Sequence, residues 1–292
     1  MIFNHLHCHT QFSLLDGAAS IPKMLQKAKA DGMAGVAITD HGNMFGAFEF
    51  VAQANKLGIK PIVGCEFYMV ENRHKKEFSK EQKDKRYHQL LLAKNAEGYQ
   101  NLSKLCSLGY TEGLYSKYPR IDKELLLQYH ENLIATTCCI GAEVPQAILH
   151  KGEAEAEKLF RWWLDIFGED YYIEIQRHDI PEQLLINEVL LKFAKKYNVK
   201  IIASNDSHYV NEEDANAHDI LLCVNTGEFK STPKWSGDGS SPKGSRFAFP
   251  NDQFFFKTTA EMEKLLHDLP QSLDNTNEIV DKVDKLYLKS DI

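Results

Sequence analysis

The sequence has no apolar run long enough to cross a membrane, and its first residues lack the charged and apolar regions of a signal peptide. It has no excess of positive charge: Lys and Arg number 34 against 41 Asp and Glu, for a net charge of -7. This balance excludes a chain that binds nucleic acid tightly and nonspecifically over its whole surface. Its six cysteines have no regular spacing, which favours reduced thiols over a disulfide framework. These absences predict a cytoplasmic protein with no membrane partner.

The composition is that of an ordinary globular protein, with 43% hydrophobic and 26% charged residues in 292 positions. Short buried strands alternate with helices up to about residue 210, and polar turns follow the strands. This rhythm predicts a parallel α/β architecture of about seven strands, close in size to a barrel built from β/α units. After the first ten residues, the predicted strands lie at 35–39, 60–66, 88–93, 133–137, 171–176 and 200–204. The predicted helices lie at 21–31, 45–57, 97–108, 123–130, 152–167, 181–197 and 214–223.

The final part of the chain has a different composition. Residues 230–246 are rich in Ser, Gly, Pro and Lys, which predicts a flexible connection or a long surface loop. Beyond them, three phenylalanines at 254–256 predict a strand, and two helical stretches follow. A segment of about forty residues cannot easily form a core of its own. It is therefore expected to pack on the barrel or to belong to something longer.

A His-rich stretch, His5-Leu-His-Cys-His-Thr, lies near the first residue. A strand at this place would point His5, His7 and His9 to one face. Three neighbouring imidazoles make a poor core and a natural metal site, which is the interpretation we favour. A frayed end or the remnant of a purification tag is the alternative.

Other metal-competent side chains fall at the carboxyl ends of predicted strands or in the loops that follow, where parallel α/β proteins place their reactive groups. Imidazoles with several carboxylates and a thiolate suit zinc, manganese or iron better than calcium or magnesium. A single tetrahedral ion cannot use so many ligands, which favours two or three ions that share a bridging carboxylate. The candidate ligands are His7, His9, Asp16, His41, Glu66, Cys139, Asp206 and His208.

Several residues have more than one interpretation. His88 precedes its apolar run, so it is either a structural histidine or a ligand, supplied by an antiparallel strand or by the entry of a strand. Asp16 can instead be a turn residue, and Asp40 is interpreted as a helix cap rather than a ligand. Of the adjacent Cys138 and Cys139, only one is expected to face the site.

The stretch 71–86 mixes basic and acidic residues, which favours a solvated excursion over a nucleic-acid patch. His5 can face either the solvent or the site. The remaining histidines are expected to have surface or capping roles; they are His74, His130, His150, His178, His218 and His267.

Separated motifs, in order along nearly the whole chain, make the sequence recognisable. They are the His5 stretch with Phe-Ser-Leu-Leu-Asp-Gly, then Ile-Thr-Asp-His-Gly-Asn-Met, Pro-Ile-Val-Gly-Cys-Glu-Phe-Tyr, Tyr-His-Gln-Leu-Leu-Leu-Ala, Gly-Ala-Glu-Val-Pro and Asn-Asp-Ser-His-Tyr. With them the sequence resembles the polymerase and histidinol phosphatase (PHP) domain family, in the form found at the amino terminus of bacterial DNA polymerase III alpha subunits. The resemblance implies a distorted (β/α)7 barrel over residues 1–228, a linker at 229–246 and the beginning of a truncated polymerase palm at 247–292.

The resemblance also implies three divalent ions, zinc or manganese, with iron as a further option. It places the first ion on His7, His9, Glu66 and Asp206, the second on Glu66, His88 and Cys139, and the third on Asp16, His41 and His208. Glu66 would bridge the first two ions, and His5 matches no ligand position. The catalytic group would be a metal-bound water that depends on Asp206, His9 and Glu66, with no protein nucleophile.

The function that follows is metal-dependent phosphoester hydrolysis, specifically a 3′–5′ exonuclease acting on the primer end of DNA during replication. The polymerase site of the family uses palm aspartates beyond this chain, and no Asp-x-Asp pair occurs here, so the chain alone should not synthesise DNA. One alternative is a metal-stabilised structural module that docks the polymerase core or a proofreading subunit. The expected partners are the rest of the alpha subunit, a DNA primer end, and proofreading and clamp subunits. A further alternative is a small-molecule phosphatase of the histidinol-phosphatase type.

Overall fold

The computed structural model describes residues 2–236 and 242–288, and within these ranges seven strands form one curled sheet. The strands are β1 (Gly35–Ile38), β2 (Lys60–Met69), β3 (Tyr87–Ala93), β4 (Arg120–Ile121), β5 (Leu133–Thr136), β6 (Tyr171–Ile175) and β7 (Ile201–Ala203). The helices are α1 (Ile21–Asp31), α2 (Ala47–Leu57), α3 (Ala96–Thr111), α4 (Lys123–Tyr129), α5 (Glu143–His150), α6 (Glu153–Phe167), α7 (Pro181–Tyr197), α8 (Ala215–Thr226), α9 (Thr259–Leu265) and α10 (Pro270–Lys282). The predicted α/β class is confirmed.

The strand order is β1-β2-β3-β5-β6-β7, with the short β4 paired to the far end of β2. Neighbours β1 and β2, β5 and β6, and β6 and β7 run parallel. Strand β3 is the exception, because it runs antiparallel to both β2 and β5, with Tyr68 opposite His88. The start of β3 therefore lies beside the carboxyl ends of its neighbours. We call this end of the barrel the polar end and the opposite end the closed end.

An extended segment near the first residue closes the sheet. On one side, Ala37 and Thr39 donate backbone hydrogen bonds to the carbonyls of His5 and Cys8, at 2.8 and 2.9 Å. On the other side, His9 donates to the carbonyl of Ser207, just after β7, at 2.7 Å. The predicted first strand is thus a chain segment held by backbone hydrogen bonds on the β1 side and by an isolated bridge between Cys8 and Ser207 on the other, and it gives the sheet its barrel form.

The inward faces of the strands change from apolar to polar along the barrel. Because side chains alternate, Ile62 and Glu66 of β2 share one face, as do Tyr172 and Glu174 of β6. The apolar members of these faces form one buried cluster with the end of α10. The polar members gather at the opposite end, so the same strands build both the core and the candidate site.

Helix α10 seals the closed end. Ile279, Val280 and Val283 join the interior apolar cluster, and Lys60 Nζ donates to the carbonyls of Val280 and Val283 at 2.7 and 2.8 Å. The contact at the start of β1 is close enough to require glycine, since a Cβ on Gly35 would lie 2.9 Å from the Val280 side chain. Part of the segment predicted to begin a palm therefore packs on the barrel.

Local differences from the sequence predictions have clear causes. The two residues of β4 are too few to show a period, and α5 carries Pro145 in its first turn, where proline is tolerated but hides the helical pattern. The predicted strand at 254–256 is a single bridge between Tyr209 and Phe255. In the predicted linker, β8 (Lys234–Trp235) pairs with β9 (Arg246–Phe247), while residues 237–241 of that linker and 289–292 of the predicted palm lie outside the described residues.

Candidate metal centre

The polar end brings together the predicted site residues from separated parts of the chain. They reach it from the extended segment (His7, His9), the loop before α1 (Asp16), the turn after β1 (His41), β2 (Glu66), the start of β3 (His88), the turn after β5 (Cys139) and the turn after β7 (Asp206, His208). The described residues contain four groups of potential ligands, and within each group the ligand atoms all lie within 4.8 Å of one another. They are His7-His9-Glu66-Asp206, His9-His41-His208, His41-Glu66-His88 and Glu66-Cys138-Cys139.

All four members of the group His7, His9, Glu66 and Asp206 are buried. Glu66 Oε2 lies 2.5 Å from His7 Nε2 and 3.5 Å from His9 Nε2. Asp206 Oδ1 lies 3.3 and 3.1 Å from the same two nitrogens. Two imidazole nitrogens and two carboxylate oxygens thus surround one point, which is a donor set that zinc or manganese can use.

Glu66 also faces the other side of the site. Its second oxygen, Oε1, lies 2.6 Å from His88 Nδ1 and 3.0 Å from His41 Nδ1. His88 Nδ1 is in turn 3.4 Å from Cys139 Sγ, while Cys138 Sγ is 3.8 Å from Glu66 Oε2. Both neighbouring thiols therefore lie at the site, and the antiparallel direction of β3 explains how His88 arrives there.

Asp16 faces two imidazoles at the outer edge of the site. Its Oδ2 lies 2.7 Å from His41 Nε2 and 3.3 Å from His208 Nε2. The rings of His9 and His41 stack with centroids 4.0 Å apart, and His9 and His208 stack at 4.2 Å. The three residues predicted for a third ion are therefore neighbours, with His9 beside them.

Several candidate ligand atoms are buried but make no hydrogen bond to any described residue. In a hydrogen-bond network that served only the fold, each of them would have a partner. Within residues 2–236 and 242–288, His9 Nε2, His41 Nδ1, Glu66 Oε1 and Asp206 Oδ1 have no hydrogen-bond partner although each lies near another of the group. Their contacts lack hydrogen-bond geometry because the atoms converge on shared points. Convergent, unpaired imidazole and carboxylate atoms fit divalent metal ions.

The charges of the site support one another. Burial alone would raise the pKa of Glu66 and of Asp206, but the facing imidazoles, His88 for Glu66 and His7 for Asp206, hold both pKa values below their usual range. A hydrogen bond from Cys138 lowers the pKa of the Cys139 thiol to about 7 against burial, and His88 adds to this effect. Both carboxylates are therefore charged at neutral pH, and the hydrogen bond from Cys138 shifts the Cys139 thiol toward the thiolate form that binds cations.

Glu174 orients His7 and was not predicted as a site residue. Its Oε1 lies 2.6 Å from His7 Nδ1, and its other oxygen accepts a hydrogen bond from Thr136 at 2.6 Å. Such a carboxylate fixes the tautomer of a metal-binding histidine. The sequence did carry a signal, because Glu174 is a charged residue in the middle of the otherwise apolar β6.

Asp40 and Ser13 orient His9. Ser13 Oγ lies 3.0 Å from His9 Nδ1 and donates to Asp40 Oδ1 at 2.6 Å, and the Thr10 amide donates to the same oxygen at 2.7 Å. The helix-cap interpretation of Asp40 is wrong, because Gly46 precedes α2 and the Asp40 side chain turns toward the extended segment.

Three histidines outside the ligand groups are buried. His5 lies 2.7 Å from the Lys257 carbonyl through Nε2, and burial lowers its pKa to about 3, so it faces neither solvent nor ligands. The surface or capping roles predicted for His178 and His218 are wrong, because both are buried and neither caps a helix within the described residues. His178 contacts the carbonyl of Asn205, before Asp206, and His218 contacts the carbonyl of Asp16, each at 2.8 Å.

Comparison with known proteins agrees with this geometry. A family model described as the PHP domain matches residues 5–178. The chain therefore belongs to the PHP domain family, and that prediction is confirmed.

Within the family, the chain is similar over nearly its whole length to DNA polymerase III alpha subunits. It is 45% identical over 285 residues to the one from Borreliella burgdorferi, with 97% of this chain and 24% of that protein covered. It is 44% identical over 283 residues to the alpha subunit from Thermus aquaticus, with 95% of this chain and 22% of that protein covered. The chain thus spans about a quarter of the length of the curated relatives it matches.

Two solved structures are distantly similar. One is an amidohydrolase from Chromobacterium violaceum with bound sulfate and no metal, at 16% identity and a TM-score of 0.46, covering 72% of this chain and 88% of that one. The other is a proposed metal-dependent phosphoesterase from Bifidobacterium adolescentis, at 16% identity and a TM-score of 0.44. The match covers 70% of this chain and 87% of that one. None of the helices in the described residues is both long and apolar enough to cross a membrane.

Proposed function

We propose that the polar end binds two or three divalent ions, zinc or manganese with iron as a further option, and hydrolyses phosphodiesters at the 3′ end of DNA. The observation that carries this proposal is the set of unpaired ligand atoms on His9, His41, Glu66 and Asp206. A buried polar atom without a partner costs about 1–3 kcal/mol, so a cluster that served only the apo fold would be expected to pair these atoms. Bound cations would satisfy all of them.

The ligand assignment that we propose follows the predicted sets. His7, His9, Glu66 and Asp206 hold one ion, Glu66 with His88 and Cys139 a second, and Asp16, His41 and His208 a third. When bound, such ions lower the pKa of a water molecule and offset the negative charge of phosphate oxygens. The chain itself fixes the ligands: Glu174 holds His7, Ser13 with Asp40 holds His9, and Glu66 presents one oxygen to each side.

The test is nucleotide release from a 3′-labelled primer with added manganese or zinc. Asp206→Ala and His9→Ala should each lower the rate by more than about a hundredfold, because losing even an outer hydrogen-bond partner of a ligand costs about 10–100-fold. The exposed His74→Ala and Asp165→Ala serve as matched controls and should keep the wild-type rate. Equal activity in wild type, Asp206→Ala and His9→Ala would point to a contaminating nuclease and refute the proposal.

A structural role for the ions is the second candidate. It is supported by the origin of the ligands, which come from both the extended segment and the turn after β7 and so tie the closure of the barrel together. A chelator that lowers the melting temperature of a chain with no activity on DNA or on small phosphomonoesters would favour this candidate. Activity confined to small phosphomonoesters would instead favour a small-molecule phosphatase.

The context of the domain is also a proposal. We infer that 247–292 begins a polymerase palm in a longer protein, whose partners are the rest of an alpha subunit, proofreading and clamp subunits, and a DNA primer end. DNA synthesis, a nucleotidyl transfer, would belong to that longer protein. A cytoplasmic location fits the cysteines, all six of which are free.

A further inference from the structure

The accessible ligands of the site lie on one side. The side chains of His88, Asp16 and His41 are 29%, 18% and 14% exposed, whereas those of His7 and Glu66 are fully buried. These three side chains are the most exposed of the proposed ligands, the next being Asp206 at 12%, so we expect a phosphodiester to approach from the side of His41 and His88. What lines that side decides which substrates can reach the site.

An aromatic stack borders this accessible side. The ring of Tyr68 lies parallel to His41, with centroids 5.9 Å apart, and edge-on to His88 at 5.7 Å. Tyr118 meets Tyr68 edge-on at 5.1 Å, and the guanidinium carbon of Arg86 lies 3.8 Å from the centre of the Tyr118 ring. Tyr68, Tyr118 and Arg86 form the entry stack, and each of its three members is half-buried. The entry stack runs without a break from the candidate ligands to the surface.

Arg86 has an unused hydrogen-bonding edge. Its Nη1 donates to Asp84 Oδ2 at 2.6 Å, which holds the guanidinium over Tyr118. In the part of the chain that the structure describes, Nε and Nη2 have no protein acceptor, and the side chain is 27% exposed. Such an edge binds a phosphate through two parallel hydrogen bonds.

The surroundings of Arg86 are basic although the chain as a whole is acidic. The stretch 71–86 has seven basic and four acidic residues, and the chain carries a net charge of -7. Lys117, on the neighbouring loop, places Nζ 5.7 Å from the centre of the Tyr118 ring. The stretch 71–86, predicted to be a solvated excursion, therefore ends at two basic residues, Lys85 and Arg86, and Arg86 lies beside the entrance to the site.

We propose that the entry stack is a subsite for single-stranded nucleic acid, holding the nucleotide next to the reacting phosphodiester. Arg86 binds the backbone phosphate of that nucleotide through Nε and Nη2, and the tyrosine rings provide aromatic surface for its base. Aromatic rings beside a basic groove are how proteins bind single strands without reading sequence. The subsite deepens the proposed function and rests on it for the position of the reacting ester.

Binding is tested with the whole 292-residue chain in manganese, by fluorescence anisotropy of a labelled oligothymidylate with phosphorothioate linkages that resist hydrolysis. Arg86→Gln and Tyr118→Leu should each raise Kd about tenfold, while Tyr118→Phe, which keeps the ring, should stay within about twofold. Arg161→Gln and Tyr287→Leu remove an exposed arginine and an exposed tyrosine elsewhere, and should bind like wild type. Melting temperature and metal content are measured for each variant, and the Tyr118→Phe result separates loss of the ring from loss of the fold.

Wild-type Kd values for Arg86→Gln and Tyr118→Leu, or losses no larger than those of the two controls, would overturn the subsite. A hydrolysis assay then separates it from the proposed function. The ratio of kcat/KM for an oligonucleotide to that for methyl p-nitrophenyl phosphate, which has neither base nor second phosphate, should fall about tenfold in both variants. If wild type cleaves neither substrate but the binding pattern holds, hydrolysis is refuted and the subsite is supported. If both are cleaved and neither the ratio nor Kd changes, the subsite alone is refuted.

Discussion

The two ends of the barrel are built from the same strands but differ in chemistry, because one is packed with apolar side chains and the other holds buried polar atoms. At the closed end, Ile279 and Val280 fill the interior, and Lys60 donates to two carbonyls of the α10 segment. At the polar end, Glu66 and Asp206 present buried oxygens that have no hydrogen-bond partner in the part of the chain that the structure describes. One end therefore contributes apolar burial to stability, and the other has unpaired polar atoms at which we propose that cations bind. Loss of apolar packing at the closed end should therefore lower stability without loss of metal, whereas loss of metal at the polar end should lower stability as well.

Removing metal should have the largest effect of all and should act through the polar end. Each ion present at a hundredfold excess over its Kd stabilises the fold by about 2.7 kcal/mol, so two ions contribute about 5 kcal/mol. Chelation should lower the melting temperature by about 10 °C, and added manganese or zinc should restore it. Calorimetry measures both steps. A melting temperature that chelator leaves unchanged would mean that the polar end holds no ion.

A substitution at the closed end should cost stability without loss of metal. Ile279→Ala removes a fully buried side chain and should lower the free energy of unfolding by about 2–5 kcal/mol. Ile220→Ala is the matched control, since Ile220 is 48% exposed and its loss should change stability by no more than about 0.5 kcal/mol. Urea denaturation and metal analysis are run on both proteins. Loss of metal in Ile279→Ala would show that the two ends are coupled.

A substitution behind the ligands should weaken metal binding directly and have the smallest effect. Glu174→Gln keeps the size of the side chain but removes the charge that faces His7 Nδ1. Metal affinity should fall about 10–100-fold, measured by competition with a chelating dye. Glu182→Gln, on the exposed start of α7, is the control and should bind metal like wild type. An unchanged metal affinity in Glu174→Gln would show that the Glu174 charge does not hold His7 for metal binding.

The features that sequence predicted well are those set by local signals. Helix α1 begins and ends where predicted, and both α1 and α2 stop at glycines, Gly32 and Gly58, with left-handed φ values of 78° and 74°. Helix α7 begins at Pro181, a residue suited to the first helical position. Buried strands between such signals placed His41 and Glu66 correctly at one end of the sheet.

The features that sequence left open depend on distant contacts. The position of His88 is set by the antiparallel pairing of β3 with β2 and β5, which no local pattern encodes. His178 is buried because the Phe254 ring stacks on it at 4.0 Å, and Phe249 meets the His218 ring at 4.7 Å. Both phenylalanines lie more than thirty residues later than the histidine they cover in the chain. Resemblance to the PHP family supplied the ligand set that spacing alone left undecided.

The most direct test of the account is the metal content of the chain, measured by elemental analysis after purification without chelators or a histidine tag. We expect two to three equivalents of zinc, manganese or iron in wild type, and a large loss in Glu66→Ala, which removes the carboxylate that faces both sides of the site. No bound metal in wild type, or equal content in Glu66→Ala, would contradict it.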